Sequence, residues 1–366
     1  MNLLLLSIIA TLQTSLALLP PPQGGLDKGF NLLENASKII PQGKIVKTAK
    51  ESWKFLWNRF MAELAPQSKS GSYERPSYAS NGFLGISKEF PDEGSRYHLY
   101  LGNPCPWCHR CKIAVTVKKF NTEQIGVTTL VDDPVKASRG GWVFSSQDKD
   151  PLGSYDLREL YEKLSPGYKG RCTAPLLVDL QNKKIVSNES SDIIRMLNKV
   201  NLGREDEVNC IDLYPADLAK KIDDTNDWVY ELLNNGCYRC GFSTKQAAYD
   251  EASADVRKGL ERANSILSEH DFLCGDKFTE ADLRLLPTIL RFDGAYSPLF
   301  RAGGVNLRVR DFPYLLAWLQ RCWEIEGIED TIDLEDAVLS YYRQLFPLNP
   351  GGLLPTPITK EEIGLK

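Results

Sequence analysis

The segment Cys105-Pro106-Trp107-Cys108-His109-Arg110 holds the residues whose types and spacing point most directly to chemistry. Two cysteines separated by two residues, at a turn from a strand into a helix, are typical of a thioredoxin-like redox site. Cys105 stands where free amides and the positive end of a helix dipole favour thiolate over thiol and lower the thiol pKa. His109 and Arg110 add hydrogen-bond donors and positive charge nearby. The sequence therefore predicts thiol–disulfide chemistry at Cys105, with two inert buried cysteines or half of a metal site as the alternatives.

The elements predicted around this segment follow the order of a thioredoxin-like domain. An alternating apolar run predicts a strand over 97–101, and Pro106, which is tolerated in a first helical turn, begins a helix predicted over 106–120. A second strand is predicted over 125–131, and the irregular stretch 132–171 after it has a length typical of functional loops. A third strand enters through Pro175, a hairpin leads to a last strand from 185, and a helix then runs to residue 198.

The rest of the chain is dominated by helical patterns. Helices are predicted over 216–233 and 245–270, and Thr279-Glu280-Ala281-Asp282 reads as a capping box that fixes the start of a core helix. We therefore predict an α/β thioredoxin-like domain over 83–200, an all-α domain over 212–346 and a tail over 347–366.

Composition restricts the class of protein. The chain has 366 residues, of which 42% are hydrophobic and 25% charged, which fits a globular protein of one large or two ordinary domains. A net charge of -4 gives no electrostatic case for binding nucleic acid. Nine cysteines over this length are too sparse for a disulfide scaffold, and we expect them to be mainly reduced. A four-cysteine zinc site that combines Cys105 and Cys108 with Cys237 and Cys240 is disfavoured by their wide separation in the sequence, so no metal is predicted.

The amino-terminal segment predicts targeting. Residues 1–17 resemble a secretory signal, with an apolar run over 3–10 that is too short for a membrane span and small residues over 15–17. The extension 18–82 follows, with seven basic and three acidic residues up to 61, an amphipathic helix predicted over 44–64 and a linker or surface arm over 65–81. This arrangement resembles the bipartite plastid-targeting leaders of algae with complex plastids. We predict a plastid location, with the secretory pathway or the cytoplasm as alternatives, and no stable membrane span in the mature chain.

Several motifs, in order along the chain, resemble the Xi-class glutathione transferases, which are also called glutathionyl-hydroquinone reductases. They are Cys105-Pro106-Trp107, Gly141-Trp142, the run from Asn188 to Arg195, Asn234-Asn235-Gly236-Cys237-Tyr238, and the run from Thr279 through Arg291-Phe292-Asp293 to Tyr296. The resemblance covers roughly residues 97–346. It implies the glutathione transferase fold, glutathione as co-substrate, no metal, and a small aromatic or disulfide substrate. It leaves the oligomeric state open, with a homodimer as one option.

The resemblance also implies roles for individual residues near the sulfur. Cys105 would accept glutathione as a mixed disulfide, and Trp107 and the Gly141-Trp142 loop would lie beside the bound tripeptide. Ala174, which precedes a cis Pro175, would pair its backbone with the cysteinyl unit of glutathione, because a cis bond exposes the preceding amide and carbonyl. Trp142 has an alternative interpretation as an ordinary core aromatic residue.

The remaining implied roles concern the two ends of the site. Glu189 and Ser190 would hold the γ-glutamyl end of glutathione at a helix start, and Tyr238 and Tyr296 would line an aromatic-substrate pocket. The alternatives are that Glu189 only stabilises its own helix and that the two tyrosines are ordinary packing residues.

Cys108 departs from the pattern of this family, in which many members have Ala or Ser at that position. A second thiol one helical turn from Cys105 could resolve the mixed disulfide internally. The predicted function is therefore a glutathione-dependent thiol oxidoreductase that reduces glutathionyl-hydroquinones or mixed disulfides. The alternatives are a dithiol glutaredoxin-like or dehydroascorbate reductase and, from another class, a non-catalytic redox-responsive binding protein of the same fold.

Overall fold

The computed structural model describes residues 38–76, 82–138, 140–204, 210–304 and 306–365. The chain divides into two compact units, residues 1–59 and 60–366. Helix α1 (Gln42–Leu64) begins in the first unit and agrees with the helix predicted over 44–64. The leader 1–17 lies outside the described residues, so the targeting prediction stays a prediction. Among the described residues, no helix is both long and apolar enough to cross a membrane.

A mixed sheet forms the centre of the first domain. Its described strands are β1 (Tyr97–Gly102), β2 (Ile125–Asp132), β3 (Trp142–Phe144), β4 (Leu176–Asp179) and β5 (Lys184–Ser187), in the order β3-β2-β1-β4-β5. Strand β1 runs parallel to β2 and antiparallel to β4. All six residues of β1 are buried, as expected of a central strand that is covered on both faces.

The described residues of this domain form three helices: α2 (Pro106–Val117), α3 (Leu157–Leu164) and α4 (Ser190–Lys199). Helix α2 starts as the sequence predicts, with Cys105 as N-cap and Pro106 in the first turn. It ends three residues before the predicted residue 120, because Lys119 takes a left-handed backbone conformation with φ 54°. Helix α2 packs against β1 and α4 and, from the second domain, against the helix that includes Arg291.

The second domain is helical in its described part. Its helices are α5 (Ala219–Val229), α6 (Asn235–Phe242), α7 (Gln246–Leu267), α8 (Glu280–Arg291), α9 (Pro313–Trp323) and α10 (Leu334–Gln344). Two π-helical turns, Tyr230–Asn234 and Phe292–Tyr296, continue α5 and α8. The predicted capping box is present: the Thr279 side chain and the Asp282 carboxylate each pair with the other residue's backbone amide. Asp282 also accepts a hydrogen bond from the indole of buried Trp318, at 2.9 Å, which ties the start of α8 to α9.

The interpretation of 132–171 as one irregular stretch is wrong in part. Trp142, Val143 and Phe144 pair with β2, and the Asp156 carboxylate accepts the Glu159 amide at 2.8 Å to cap α3. Both elements are short, so their side-chain periodicity gives a weak signal in the sequence. The helix predicted over 216–233 likewise divides into α5 and a π-helical turn, in which the i→i+5 bonding has no simple residue signature.

The described part of the predicted arm, residues 65–76, lies against the junction of α6 and α7. The Thr244 amide donates to the Gly71 carbonyl at 3.0 Å, and the Gln67 side chain donates to the Phe242 carbonyl at 3.0 Å. Gly71 has φ 83°, and an added Cβ would come within 2.7 Å of the Lys245 side chain, so a larger residue would not fit there. Hydrogen bonds therefore hold the described part of the arm against the helical domain.

Candidate active site

Cys105 lies at the N-cap of α2, in a partly exposed position. Its Sγ accepts a hydrogen bond from the Cys108 amide at 3.4 Å and lies 3.7 Å from the Ala174 carbonyl oxygen. Burial raises the pKa of the Cys105 thiol, but this effect is outweighed by hydrogen bonds from the Cys108 thiol and from the amides of Cys108 and Trp107 and by the charge of Arg75. Together they lower the pKa to about 7. Near neutral pH a large fraction of Cys105 is therefore thiolate, the form that acts as a nucleophile.

Cys108 lies one helical turn further along α2 and is buried. Burial raises the pKa of its thiol well above the ordinary value, and the neighbouring Cys105 raises it further by hydrogen bonding and by charge. The two cysteines thus differ in reactivity in the direction that the sequence predicts: Cys105 is the thiolate and Cys108 remains protonated in the resting state.

His109 is not placed to act as a base for Cys105. The guanidinium of Arg291 donates to its Nδ1 at 3.0 Å, so Nε2 carries the ring proton and donates to the Thr331 hydroxyl at 2.7 Å. Burial, helped by the charges of Arg291 and Lys112, holds the pKa of His109 well below its usual range. The imidazole is therefore a neutral packing group, and the positive charge that we expected His109 to add near Cys105 is not present.

Arg291, which sequence reasoning did not single out as a site residue, fixes the turn that precedes Cys105. It is completely buried at the end of α8, and it donates to the carbonyls of Asn103 at 2.9 Å and Pro104 at 3.1 Å. A further bond reaches the Pro287 carbonyl at 3.0 Å. The second domain thus supplies a residue that holds the backbone of the catalytic turn in the first domain.

A cavity of about 260 Å³ opens beside Cys105. Both domains and the arm line it, and the described lining residues include Tyr73, Arg75, Trp107, Asp132, Trp142, Arg171, Thr173, Ala174, Tyr238, Phe242, Ser340 and Tyr341. The Ala174–Pro175 bond is cis, as the resemblance implies, and Ala174 is part of the wall. A cavity that combines six aromatic side chains with two arginines suits a planar ligand that carries carboxylates.

Two guanidinium groups contact the ring of Trp107. The Cζ of Arg75 is 3.6 Å from the ring centroid of Trp107, and that of Arg110 is 4.4 Å from it. Arg110 is buried and donates to Asn234 Oδ1 at 2.5 Å; burial lowers its pKa to about 9, so it remains charged at neutral pH. These contacts hold the indole beside the thiol, as expected of cation–π pairs in a partly desolvated site.

Arg75 and Tyr73 belong to the arm and were missed by sequence reasoning, which assigned residues 65–81 to a linker or surface arm. The Tyr73 ring makes an edge contact with Phe242, with 5.4 Å between the centroids. The only sign of their role in the sequence is that an arginine and a tyrosine lie close together in a Ser- and Pro-rich arm. The sequence does not show which surface of the protein this arm contacts.

Tyr238, Tyr296 and Tyr341 form a cluster of three hydroxyl groups. Tyr341 lies 2.9 Å from Tyr238 and 2.8 Å from Tyr296, hydroxyl to hydroxyl, and the third pair is 3.4 Å apart. Tyr238 lines the cavity as the resemblance implies. Tyr296 is completely buried behind it, because the π-helical turn at the end of α8 directs it into the core. Tyr341, which was not predicted, takes the place at the wall that we expected for Tyr296.

Trp142 both packs and lines the cavity. Its ring lies directly against Gly102, where an added Cβ would come within 2.3 Å of the indole, so the glycine allows the close approach. Glu189 and Ser190 lie at the start of α4 and are not among the residues that line the cavity. The Glu189 carboxylate accepts hydrogen bonds from the Ser191 amide and hydroxyl, each at 3.0 Å, so it caps its own helix in this structure. Pro175 also lies outside the described lining.

In the described part of the chain, no three His, Cys, Asp or Glu residues are grouped closely enough to hold a metal ion. The site consists of a helix-start thiol of lowered pKa, a cis proline opposite it and an aromatic cavity shared with a helical domain. Fold and site together define an enzyme of the glutathione transferase fold with a cysteine thiol at the start of α2.

Comparison with known proteins agrees with this class. The family model described as glutathione S-transferase, C-terminal domain, matches residues 246–321. The glutathionyl-hydroquinone reductase YqjG of Escherichia coli is 38% identical over 272 residues, 72% of this chain and 80% of its own. The reductase PcpF of Sphingobium chlorophenolicum is 38% identical over 296 residues, covering 79% and 90% of the two chains. The glutathione transferase Xi of Phanerochaete chrysosporium superposes with a TM-score of 0.73 at 36% identity, over 80% of this chain and 100% of that one.

The chain belongs to the Xi-class glutathione transferases, the family that includes the glutathionyl-hydroquinone reductases. It is accordingly a glutathione-dependent enzyme, as the sequence predicts. A structure of YqjG with bound glutathione superposes with a TM-score of 0.70 at 35% identity, over 76% of this chain and 93% of that one.

Proposed function

We propose that this enzyme reduces glutathionyl-hydroquinones, using Cys105 as the nucleophile. The observation that carries the proposal is the position of the Cys105 thiol, whose pKa is about 7, at a cavity walled by Trp107, Trp142, Tyr238 and Tyr341. A thiolate in that position can attack sulfur, and the aromatic wall fits a hydroquinone ring by stacking and edge contacts. Two relatives at 38% identity carry the name of this activity.

The proposed cycle has two steps, and in each of them a thiolate attacks sulfur. In the first, the Cys105 thiolate attacks the glutathione sulfur of the substrate; the new S–S bond forms, the aryl C–S bond breaks, and the ring carbon takes a proton. The aromatic product is thereby reduced, and the two sulfurs are oxidised to a mixed disulfide. In the second step, the thiolate of a second glutathione attacks that disulfide, which releases oxidised glutathione and restores the Cys105 thiolate.

The cavity also contains groups suited to glutathione itself. Arg75 and Arg171 line it, and guanidinium groups bind carboxylates by paired hydrogen bonds. The Ala174 carbonyl oxygen lies 3.7 Å from the Cys105 sulfur, so it is close enough to pair with the backbone of a cysteinyl unit whose sulfur meets Cys105. We infer that the tripeptide lies between Ala174 and the two arginines, with the aromatic part of the substrate toward Tyr238 and Tyr341.

The experiment is a substrate panel of glutathionyl-hydroquinones, hydroxyethyl disulfide and dehydroascorbate, measured on the wild type and on Cys105→Ser. We expect the wild type to have its highest kcat/KM with the hydroquinone and the variant to lose turnover with all three while unfolding normally. Cys210→Ser is the control, because Cys210 is also partly exposed but lies outside the cavity. A Cys105→Ser variant that still turns over would refute the assignment of the nucleophile, and a wild type that prefers the disulfide or dehydroascorbate would refute the substrate.

A second candidate function, a dithiol reductase of mixed disulfides, is favoured by one contact. The Cys108 amide donates to the Cys105 sulfur at 3.4 Å, which keeps both cysteines at the same end of α2. In that cycle Cys108 replaces the second glutathione and forms an internal disulfide. The same panel separates the two, because a dithiol enzyme would turn over hydroxyethyl disulfide fastest and would lose that activity on Cys108→Ala.

A further inference from the structure

Asp132 places a carboxyl group in the wall of the catalytic cavity. It is the last residue of β2, and in the sheet it pairs with Trp142, which is itself a cavity residue. Both residues line the same cavity as Cys105. None of the motifs in the sequence includes this aspartate, and the established family membership does not depend on it.

Helix α10 holds Asp132 at two points. The Ser340 hydroxyl donates to Oδ2 of Asp132 at 2.6 Å, and the Gln344 side chain donates to its main-chain carbonyl at 2.9 Å. Tyr341, between these two residues on α10, also lines the cavity. The other carboxylate oxygen, Oδ1, accepts no hydrogen bond from the described part of the chain. The carboxyl is therefore oriented through one oxygen and leaves the other available to a ligand.

The chemistry of the proposed substrate needs such a group, and the following inference rests on the proposed function. When the aryl C–S bond breaks, the ring carbon must gain a proton, which a disulfide substrate does not require because its leaving group is a thiolate. The guanidinium groups of Arg75 and Arg171 do not release protons in proteins. Burial raises the pKa of Tyr341 to about 12 and that of Tyr238 well above its usual value, so both phenols are poor proton donors.

We propose that Asp132 is an acid–base catalytic residue that moves a proton from a hydroxyl of the hydroquinone to the neighbouring ring carbon that bears glutathione. Oδ1 of the carboxylate takes the hydroxyl proton, and the resulting carboxylic acid delivers it to the ring carbon, which leaves the keto tautomer and restores the carboxylate. The Cys105 thiolate then attacks sulfur; the S–S bond forms, and the electrons of the C–S bond return to the ring oxygen as a phenolate. The phenolate takes a proton from solvent, so the atoms and charges balance.

The surroundings of Asp132 favour this exchange in both directions. Burial raises the pKa of its carboxyl above the ordinary aspartate value, and the charges of Asp336 on α10 and of Asp133 add to this. The Ser340 hydrogen bond and the charge of Arg343, also on α10, act in the opposite sense. Across the cavity, the charged groups are Arg75, Arg171 and the Cys105 thiolate. A carboxyl whose pKa is moved toward the working pH is a better proton-transfer group than one that is always ionised.

The test compares two substrates that transfer the same glutathionyl group to Cys105: a glutathionyl-hydroquinone and the mixed disulfide of glutathione with 2-mercaptoethanol. In Asp132→Asn, which keeps the shape of the side chain, we expect kcat/KM for the hydroquinone to fall about 100-fold or more, as for loss of a general acid–base group. Turnover of the mixed disulfide should stay within a factor of about three, which also shows that the variant is folded. Asp227→Asn is the control and should leave both activities unchanged, because Asp227 is exposed on α5 and lies outside the cavity.

Equal losses with both substrates, or no loss with the hydroquinone, would overturn the role of Asp132. If the wild type reduces the mixed disulfide but no glutathionyl-hydroquinone, both the proposed function and the role of Asp132 are refuted. If the wild type reduces the glutathionyl-hydroquinone and Asp132→Asn shows no selective loss, only the role of Asp132 is refuted. Should Asp132→Asn not fold, Ser340→Ala removes only the hydrogen bond that orients the carboxyl. It should lower hydroquinone turnover alone, and an unselective or absent effect would again count against the proposal.

Discussion

Replacement of Arg291 by leucine tests whether the second domain holds the catalytic turn. The guanidinium serves four acceptors: the carbonyls of Asn103, Pro104 and Pro287 and the Nδ1 of His109, at 2.9 to 3.1 Å. A buried acceptor left without a donor costs about 1–3 kcal/mol, so four of them at the low end give about 4 kcal/mol. Removal of a buried charge returns part of its desolvation cost. We therefore expect the free energy of unfolding to fall by about 3–5 kcal/mol, the usual cost of removing one partner from a buried charged network.

The assay is urea unfolding followed by tryptophan fluorescence, with the activity measured at a temperature below both transitions. A loss of this size is a large share of the roughly 5–15 kcal/mol that stabilises a typical domain, so the midpoint should move clearly. Arg310→Leu is the control, because this arginine is exposed and should change stability by less than about 0.5 kcal/mol. A change below about 1 kcal/mol for Arg291→Leu would show that the four contacts do not stabilise the turn.

Three further predictions follow from the site. The rate of Cys105 alkylation by iodoacetamide should rise with pH through a midpoint of about 7. Arg75→Leu should move that midpoint upward, because the charge of Arg75 favours the thiolate. An unchanged midpoint would show that Arg75 does not lower the pKa of Cys105. After treatment with stoichiometric oxidised glutathione, mass spectrometry should show the wild type lighter by two hydrogens, the mass of an internal Cys105–Cys108 disulfide. The Cys108→Ala variant should instead keep the glutathione adduct on Cys105. A stable adduct on the wild type would establish a monothiol cycle. Glu189 caps its own helix in this structure, whereas the resemblance places it at the γ-glutamyl end of bound glutathione. On the second role, Glu189→Ala should raise the KM for glutathione about tenfold or more, as for loss of a charge-assisted hydrogen bond, and an unchanged KM would assign Glu189 to helix capping alone.

The sequence predicts the parts of this fold whose signals are local. Cys105 followed by Pro106 at the end of an apolar run fixes the strand-to-helix turn, and the Thr279–Asp282 pair fixes the start of α8. Each is a contact between residues at most three positions apart, so the residue types alone are informative. The cis bond before Pro175 has no comparable local signal in the sequence. Its prediction rests on the resemblance to a family.

The parts that the sequence does not predict depend on contacts between distant residues. Arg75 reaches Trp107 only because the arm docks on the α6–α7 junction, through backbone bonds that any residue can make. Tyr341 replaces Tyr296 at the cavity wall because the π-helical turn Phe292–Tyr296 directs the latter inward. Asp132 is the first residue of the stretch that the sequence predicts to be irregular. The pairing of β2 with β3 and the hydrogen bond from Ser340 bring it to the cavity.

The docked arm has a consequence for how the chain can be shortened. The catalytic cavity takes two of its lining residues, Tyr73 and Arg75, from a segment that precedes the thioredoxin-like domain. The product of a cut just after Arg75 would still contain Cys105 and the cis proline. It would lack the cation that stacks on Trp107 and helps to keep the thiol ionised. A shortened chain that keeps this cavity complete must therefore begin upstream of Tyr73.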